Sequence, residues 1–151
     1  MRDTTARWRD RLSNVPIPEQ HVIPLVAAGV CERFLRFRLP GPPAGVRVLG
    51  ALLVITAWAH AWQAWREARG VRLAEPDRLV TTGPYARSRH PMYRAWALGH
   101  LGLALLTRSG WALAVWVPSV LAVRHQVAAE EAELRRRFGV AYERYAERVR
   151  R

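Results

Sequence analysis

From Val46 to Trp65 the chain carries a single charge, at Arg47, and no acidic group. No other stretch limits the fold as strongly. As a helix rising about 1.5 Å per residue, the run is about 30 Å long, the thickness of a bilayer's hydrocarbon core. Trp58, Trp62 and Trp65 fall on one face near its end. Such a stripe suits an interfacial belt or helix packing better than a ligand cage. His60 lies in the same run with no second ligand one turn on, and reads as a helix-packing histidine.

Two further apolar segments, Met92 to Leu106 and Trp111 to Val123, are joined by Thr107-Arg108-Ser109-Gly110, which predicts a tight helical hairpin. Both are short of the roughly 20 residues that a crossing needs. Gly99 and Gly102, with Ala95 and Ala97, permit close helix approach, and Pro118 predicts a kink. Upstream, His21 to Leu35 is a mostly apolar segment ending in Glu32, Arg33, Arg36 and Arg38, and Leu39-Pro40-Gly41-Pro42-Pro43 breaks any helix after it. Residues 1–20 read as a basic lead on the membrane surface, with a Pro16-Ile17-Pro18 break. Arg2, Arg7, Arg9 and Arg11 leave that lead no apolar core of the kind a secretory signal has. Cys31, the one cysteine, excludes an internal disulfide and reads as a small helix residue.

Half of the residues are hydrophobic, yet the net charge is +12. Soluble domains seldom combine the two. All 24 basic residues are arginines, whose bidentate fork fits anionic headgroups and equally nucleic acid. Their placement separates those partners. Arg66, Arg69, Arg72, Arg78, Arg87 and Arg89 lie on one side of the hairpin with the tail from Arg124 onward, and the opposite turn holds Arg108. The positive-inside rule puts the first group on the cytoplasmic side. Arg33, Arg36 and Arg38 then fall on the other side, a conflict that a re-entrant or surface-lying first helix would resolve. Arg124 to Arg137 reads as a helix leaving the membrane, closed by Gly139, with a second short helix after it. Leu134, Phe138, Tyr142, Tyr145 and Val149 recur every three or four residues, a stripe suited to lie on the membrane or over the hairpin. Around it lie Arg135 to Arg137, Arg148, Arg150 and Arg151. The apolar face and the preceding helices favour lipid over nucleic acid. The expected architecture is a single all-α domain over 1–151, a polytopic membrane helical bundle. Three to four membrane helices over 21–123, including the tight hairpin, are followed by a cytoplasmic amphipathic helical tail over 124–151.

Between two apolar segments stands a polar corner, Gly83-Pro84-Tyr85-Ala86-Arg87-Ser88-Arg89-His90-Pro91-Met92-Tyr93. Gly83-Pro84 cannot continue a helix, while Pro91 suits the first position of a new one. A tight hairpin returns the chain to its starting side, so this corner and Glu130-Glu131 become neighbours. Two readings stand for that meeting. One is an ion-pair network clamping loop to tail. The other is a pocket for a zwitterionic, polyhydroxylated cofactor: arginine and tyrosine for a carboxylate, Glu130 for an amine or ribose hydroxyl, apolar walls for a purine.

Leu79-Val80-Thr81-Thr82-Gly83-Pro84-Tyr85, then Arg89-His90-Pro91-Met92-Tyr93, Glu130-Glu131, and Phe138-Gly139 with Tyr142, Tyr145 and Val149, come in the order and spacing of a known superfamily. This half of the chain resembles the isoprenylcysteine carboxyl methyltransferase and phospholipid methyltransferase superfamily of integral membrane enzymes. The resemblance implies S-adenosyl-L-methionine as cofactor, with Leu79, Val80, Tyr85, His90, Pro91, Met92, Tyr93 and Glu130 as its contacts and Arg89 and Glu131 as supports. It further implies a lipophilic small-molecule or lipid acceptor and a cell inner membrane location, with the site facing the cytoplasm. In the prenylcysteine enzymes an arginine four residues before the cofactor-binding glutamate receives the substrate carboxylate. Here that position is Gln126, with Arg124 two residues earlier, so an isoprenylcysteine-type carboxylate and a lipid amine both stay open. Methyl transfer from a sulfonium is an in-line displacement needing alignment and a dry site, and neither a metal nor a covalent nucleophile is called for. Two other readings stand beside it: an NADPH-dependent membrane reductase of the sterol reductase type, and a non-enzymatic basic membrane protein that binds anionic lipid. His100 reads as a packing residue. His125, at the helix exit, is placed to act as a base for an amine acceptor.

Overall fold

The structure, a computed structural model, describes residues 18–71 and 76–149. The basic lead over 1–17, and Arg72, Arg150 and Arg151, lie outside the described residues. The described residues form five α-helices and one 3-10 turn and contain no strand. Helix α1 spans Glu19–Phe34, α2 Pro43–Ala68, α3 Pro91–Thr107, α4 Gly110–Phe138 and α5 Val140–Arg148, with the 3-10 turn at Gly83–Ala86. Pro43 and Pro91 occupy first-turn positions, where a missing N–H is harmless.

Two helices, α2 and α4, are long and apolar enough to cross a membrane; α1 and α3, at 16 and 17 residues, are shorter. The expected division at Val123 is not observed. Trp111–Val123 and Arg124–Arg137 are one continuous 29-residue helix, because Arg124, His125 and Gln126 change the polarity of the segment without breaking its backbone ladder. The helix also runs through Pro118, and Ser119 donates its hydroxyl to the Val115 carbonyl at 2.7 Å. Likewise α2 continues to Ala68, past the expected start of the loop at Arg66.

The hairpin turn consists of Arg108 and Ser109. Arg108 adopts a left-handed conformation, φ 55°, to cap α3, and the Ser109 side chain accepts from the Ala112 N–H at 3.2 Å to start α4. The hairpin helices nonetheless have different main partners: α3 packs chiefly on α2, and α4 on α1. The α2–α3 seam is set by glycine. A Cβ on Gly50 would lie 2.3 Å from the Leu106 nitrogen, and one on Gly102 2.9 Å from the Val54 nitrogen. Gly99 and Gly102 were the expected close-approach residues; a Cβ on Gly99 would lie 3.4 Å from the Ala57 Cβ, and the counterpart of Gly102 across the seam is Gly50. Trp58 and Trp62 stand exposed on α2, with the Trp62 and Trp65 rings 5.1 Å apart.

Helix α1 packs into the bundle, chiefly on α4. Ala28 packs with Ala104 and Ala112, and the end of α1 reaches the hairpin turn, where Ser109 Oγ donates to Glu32 at 3.0 Å. Arg33, Arg36 and Arg38 therefore share the Arg108 end of the bundle. His100 sits where a packing residue is expected. It is buried, with Nε2 3.0 Å from the Ala112 carbonyl and Nδ1 2.9 Å from His21 Nδ1. Cys31 is exposed on α1.

Candidate functional site

At the end of the bundle opposite the hairpin turn, α2 stops and the chain must return to start α3. Gly83, at φ 57°, makes the corner. A side chain there would meet Glu67, whose Cγ would be 2.7 Å from the added Cβ, and Glu67 also accepts from Thr82 Oγ1 at 2.9 Å. The 3-10 turn and the Pro91 start of α3 then hold Arg89 and His90 facing α4. Because the hairpin is tight, α4 returns past this corner and continues as far as Phe138, which brings in the glutamate pair.

Glu131 is the centre of the junction. It is fully buried, and its carboxylate faces Arg89 Nη1 at 3.2 Å, His90 Nε2 at 3.0 Å and Arg135 Nη2 at 3.7 Å. A carboxylate can only accept, so His90 Nε2 carries the hydrogen. Nδ1 of the same ring faces Glu130 at 3.8 Å. His90 thus bridges two neighbouring carboxylates that point about 100° apart on the helix.

Glu130 has the opposite environment. Its side chain is 43 % exposed, in the wall of a cavity of about 250 Å³. That recess is close to the low end of the roughly 300–1,000 Å³ typical of ligand pockets. Removal from bulk water pushes the Glu130 carboxyl above its ordinary value, while the His90 charge and a hydrogen bond from Tyr93 pull it partly back. Burial and then the Glu130 charge raise the Tyr85 phenol. Burial likewise raises Tyr142, and pushes Tyr145 up to about 12. The tyrosines are therefore neutral donors at physiological pH.

The cavity lies between the end of α2, the segment from Pro76 to Val80, the corner and the tail. Of the residues expected to contact a cofactor, Leu79, Val80, Tyr85 and Glu130 line it, as does Arg89. His90, Pro91, Met92 and Tyr93 do not. The first three are buried behind the wall, and His90 and Tyr93 act on the cavity through Glu130. Arg124 and Gln126 are exposed on α4 and outside the lining, as is His125.

The tail stripe is turned inward. Tyr142, Tyr145 and Val149 are buried against Leu79, Leu134 and Phe138, so it covers the corner instead of lying on a membrane or over the hairpin. Tyr145 donates to the Tyr85 carbonyl at 2.8 Å, and Arg137 donates to the Pro76 carbonyl at 3.1 Å. Val71, Glu133, Leu134, Tyr142 and Tyr145 also line the cavity. Sequence reasoning did not assign them to the site. Glu133 and Leu134 were within reach of it, since they stand three and four places after Glu130 on one helix face.

A carboxylate, a guanidinium whose buried Nε has no hydrogen-bond partner among the described residues, neutral phenols and aliphatic walls converge on a space open to solvent. Such a set can hold a small zwitterion with an apolar ring.

The profile of the phospholipid methyltransferase family matches residues 46–141, which covers α2, the corner, α3, α4 and the start of α5. Protein-S-isoprenylcysteine O-methyltransferase B of Arabidopsis thaliana is 34% identical over 105 residues, 68% of this chain and 52% of the relative. The chain thus spans about half the length of that relative. No solved structure matches it. With the family's profile running unbroken through both sides of the cavity, the chain belongs to the phospholipid methyltransferase family.

Proposed function

We propose that the chain is a membrane methyltransferase: it binds S-adenosyl-L-methionine in the cavity between corner and tail and methylates a lipophilic acceptor. The observation that carries this reading is the junction at His90, which meets Glu131 across 41 positions of sequence and Glu130 beside it, and leaves Glu130 facing a recess. In this reading α1, α2, α3 and the apolar part of α4 are the three to four membrane helices, and the arginine-rich corner and tail face the cytoplasm at the inner membrane.

The lining fits the cofactor group by group. Arg89 presents a buried guanidinium to a carboxylate. Glu130 accepts from an ammonium or a ribose hydroxyl, and Leu79, Val80 and Leu134 offer apolar contact to a purine. When bound, the sulfonium supplies an electrophilic methyl group. The chain itself supplies alignment and a dry wall, worth up to about 7–11 kcal/mol in well-oriented model reactions. His90 and Tyr93 fix the Glu130 carboxylate, and the tail tyrosines exclude water from one side.

The acceptor class, an isoprenylcysteine-type carboxylate, a lipid amine or a similar group, follows from the family and from the apolar helices beside the cavity. Gln126 in place of an arginine leaves acceptors other than a carboxylate as well fitted as a carboxylate. The Glu130-Glu131 pair followed by Phe138-Gly139 favours S-adenosyl-L-methionine over NADPH. Titration calorimetry on the detergent-purified chain tests the choice, with saturable heat expected for S-adenosyl-L-methionine and lost in Glu130→Gln. Binding of NADPH with no response to S-adenosyl-L-methionine would overturn the proposal. Membranes holding the chain, incubated with methyl-labelled cofactor and total lipid extract, would identify the fraction that takes up label.

A further inference from the structure

The hairpin-turn end of the bundle has a second recess, lined by Gly29, Glu32, Arg33, Arg36 and Arg38. Its charges are not balanced. Glu32, its one acid, is already held by Ser109 Oγ at 3.0 Å and by Arg38 Nε at 3.4 Å. Arg38 is used in turn, donating to the Thr107 carbonyl at 2.7 Å. Arg33 and Arg36 remain exposed and have no polar partner among the described residues, so the recess presents two uncompensated guanidinium groups.

Its walls are fixed. Arg38 and Ser109 form an antiparallel bridge, Leu39 N–H donates to the Arg108 carbonyl at 3.0 Å, and Gly110 N–H to the Phe37 carbonyl at 2.6 Å. The Phe37 ring stands edge-on to Trp111 at 5.9 Å. This frame fixes the backbone after α1 against the hairpin turn, and Arg33 and Arg36 line the same recess beside it.

Along α1, one continuous face leads into this recess. Ile23, Val26, Val30 and Phe34 follow at intervals of three and four, and all four are exposed, Phe34 to 85 %. A cationic recess at the end of a bare apolar track has the outline of an amphiphile. Phosphate matches the arginine fork bidentately, and acyl chain is what lies beside such a track in a bilayer.

We infer that this end of the bundle binds an anionic phospholipid, its phosphate between Arg33 and Arg36 and its acyl chains along Ile23, Val26, Val30 and Phe34. The site is distinct from the cofactor cavity, at the opposite end of the helices, and does not depend on the methyltransferase reading. It also accounts for arginines that fall on the side the positive-inside rule leaves poor in charge, because a bound anionic headgroup compensates them.

Thermal unfolding of the full chain in detergent micelles, doped with increasing phosphatidylglycerol, reads the site directly. A saturable rise in Tm is expected for the parent, with the half-saturating lipid fraction raised about tenfold or more in Arg33→Gln/Arg36→Gln. The Arg33→Lys/Arg36→Lys pair, which keeps the charge and loses the bidentate fork, is expected to respond between the parent and the glutamine pair. Should the glutamine pair not accumulate as folded protein, Arg36→Gln alone carries the test with a smaller shift in the same direction. Phosphatidylcholine matching phosphatidylglycerol would overturn the inference. So would inorganic phosphate alone giving the same saturable rise, which would mark a site for free anions, or a glutamine variant responding like the parent.

Discussion

Along the α2–α3 seam, contact is backbone against backbone: Gly50 and Gly102 leave no room for a single added carbon, and no charge takes part. At the junction of corner and tail, contact is made by charge. A fully buried glutamate is held by two arginines and a histidine, and a second glutamate beside it opens onto a cavity. The seam has one close-packed solution and nothing left over to bind with. The junction holds more polar capacity than its own structure consumes, and that surplus distinguishes a site from a scaffold.

Removing the hub of the junction gives the largest expected effect. Glu131→Ala strands Arg89, whose side chain is only 10 % exposed, together with His90. Breaking one partner of a buried pair costs about 3–5 kcal/mol, so the expected outcome is a large loss of thermal stability and of cofactor binding together. A variant that keeps the parent's Tm would show that the junction is held by the tail's apolar contacts instead.

Next comes the seam. Gly50→Leu forces side-chain carbons into the Leu106 and Gly102 backbones, which cannot swing aside, and is expected at the upper end of the roughly 1–3 kcal/mol typical of overpacking, or beyond it. Gly29 and Gly45, where an added Cβ meets nothing within 4 Å, give the contrast. Alanine there should leave Tm unchanged or raise it, since glycine in a helix interior is worth about 0.5–1 kcal/mol less than alanine. Equal losses at all three positions would remove the claim that the seam is special.

How far these regions could be read from the residues differs in the same way. The meeting of Arg89-His90 with Glu130-Glu131 was legible, because a two-residue turn leaves the hairpin no choice of register. The division of labour between the glutamates was not. Adjacent helix positions diverge by about 100°, and which one faces the cavity depends on packing from the corner. The tail stripe was visible as a period, but its partner was not, since a stripe that suits a membrane surface equally suits Leu79. His21 was missed as the partner of His100 because the two lie 79 positions apart and no motif links them. The length of α4 was misjudged because a change in polarity was read as a helix boundary.

Tyr145→Phe tests the latch between tail and corner. It deletes the 2.8 Å hydrogen bond to the Tyr85 carbonyl and is expected to cost about 1 kcal/mol. Burial holds this phenol protonated up to about 12, against an unfolded value of 10.0. Stability from Tyr145 is therefore fully present below pH 10 and is lost as pH rises toward 12, a loss that the phenylalanine variant should not share. Parallel alkaline melting curves for parent and variant would place the bond elsewhere.

The smallest expected change in stability is also the one that best separates function from fold. In Glu130 the folded state disfavours the charge, raising the carboxyl above its ordinary 4.5. Below that value both states are protonated and nothing is lost; as pH rises from 4.5 through the folded-state value, the unfolded chain ionises first and stability falls. Glutamine mimics the protonated form, so Glu130→Gln should melt slightly above the parent at pH 7, by about 1–2 °C once solvent screening at the cavity mouth is allowed for. The gain should vanish toward pH 4, while S-adenosyl-L-methionine affinity at pH 7 falls tenfold or more, the order expected for a lost charged hydrogen bond. A stabilising substitution that abolishes binding is what a residue kept for its ligand would give. If Glu130→Gln instead destabilises the fold at pH 7, its carboxylate belongs with that of Glu131 in the scaffold, and the cavity loses the group on which its binding role depends.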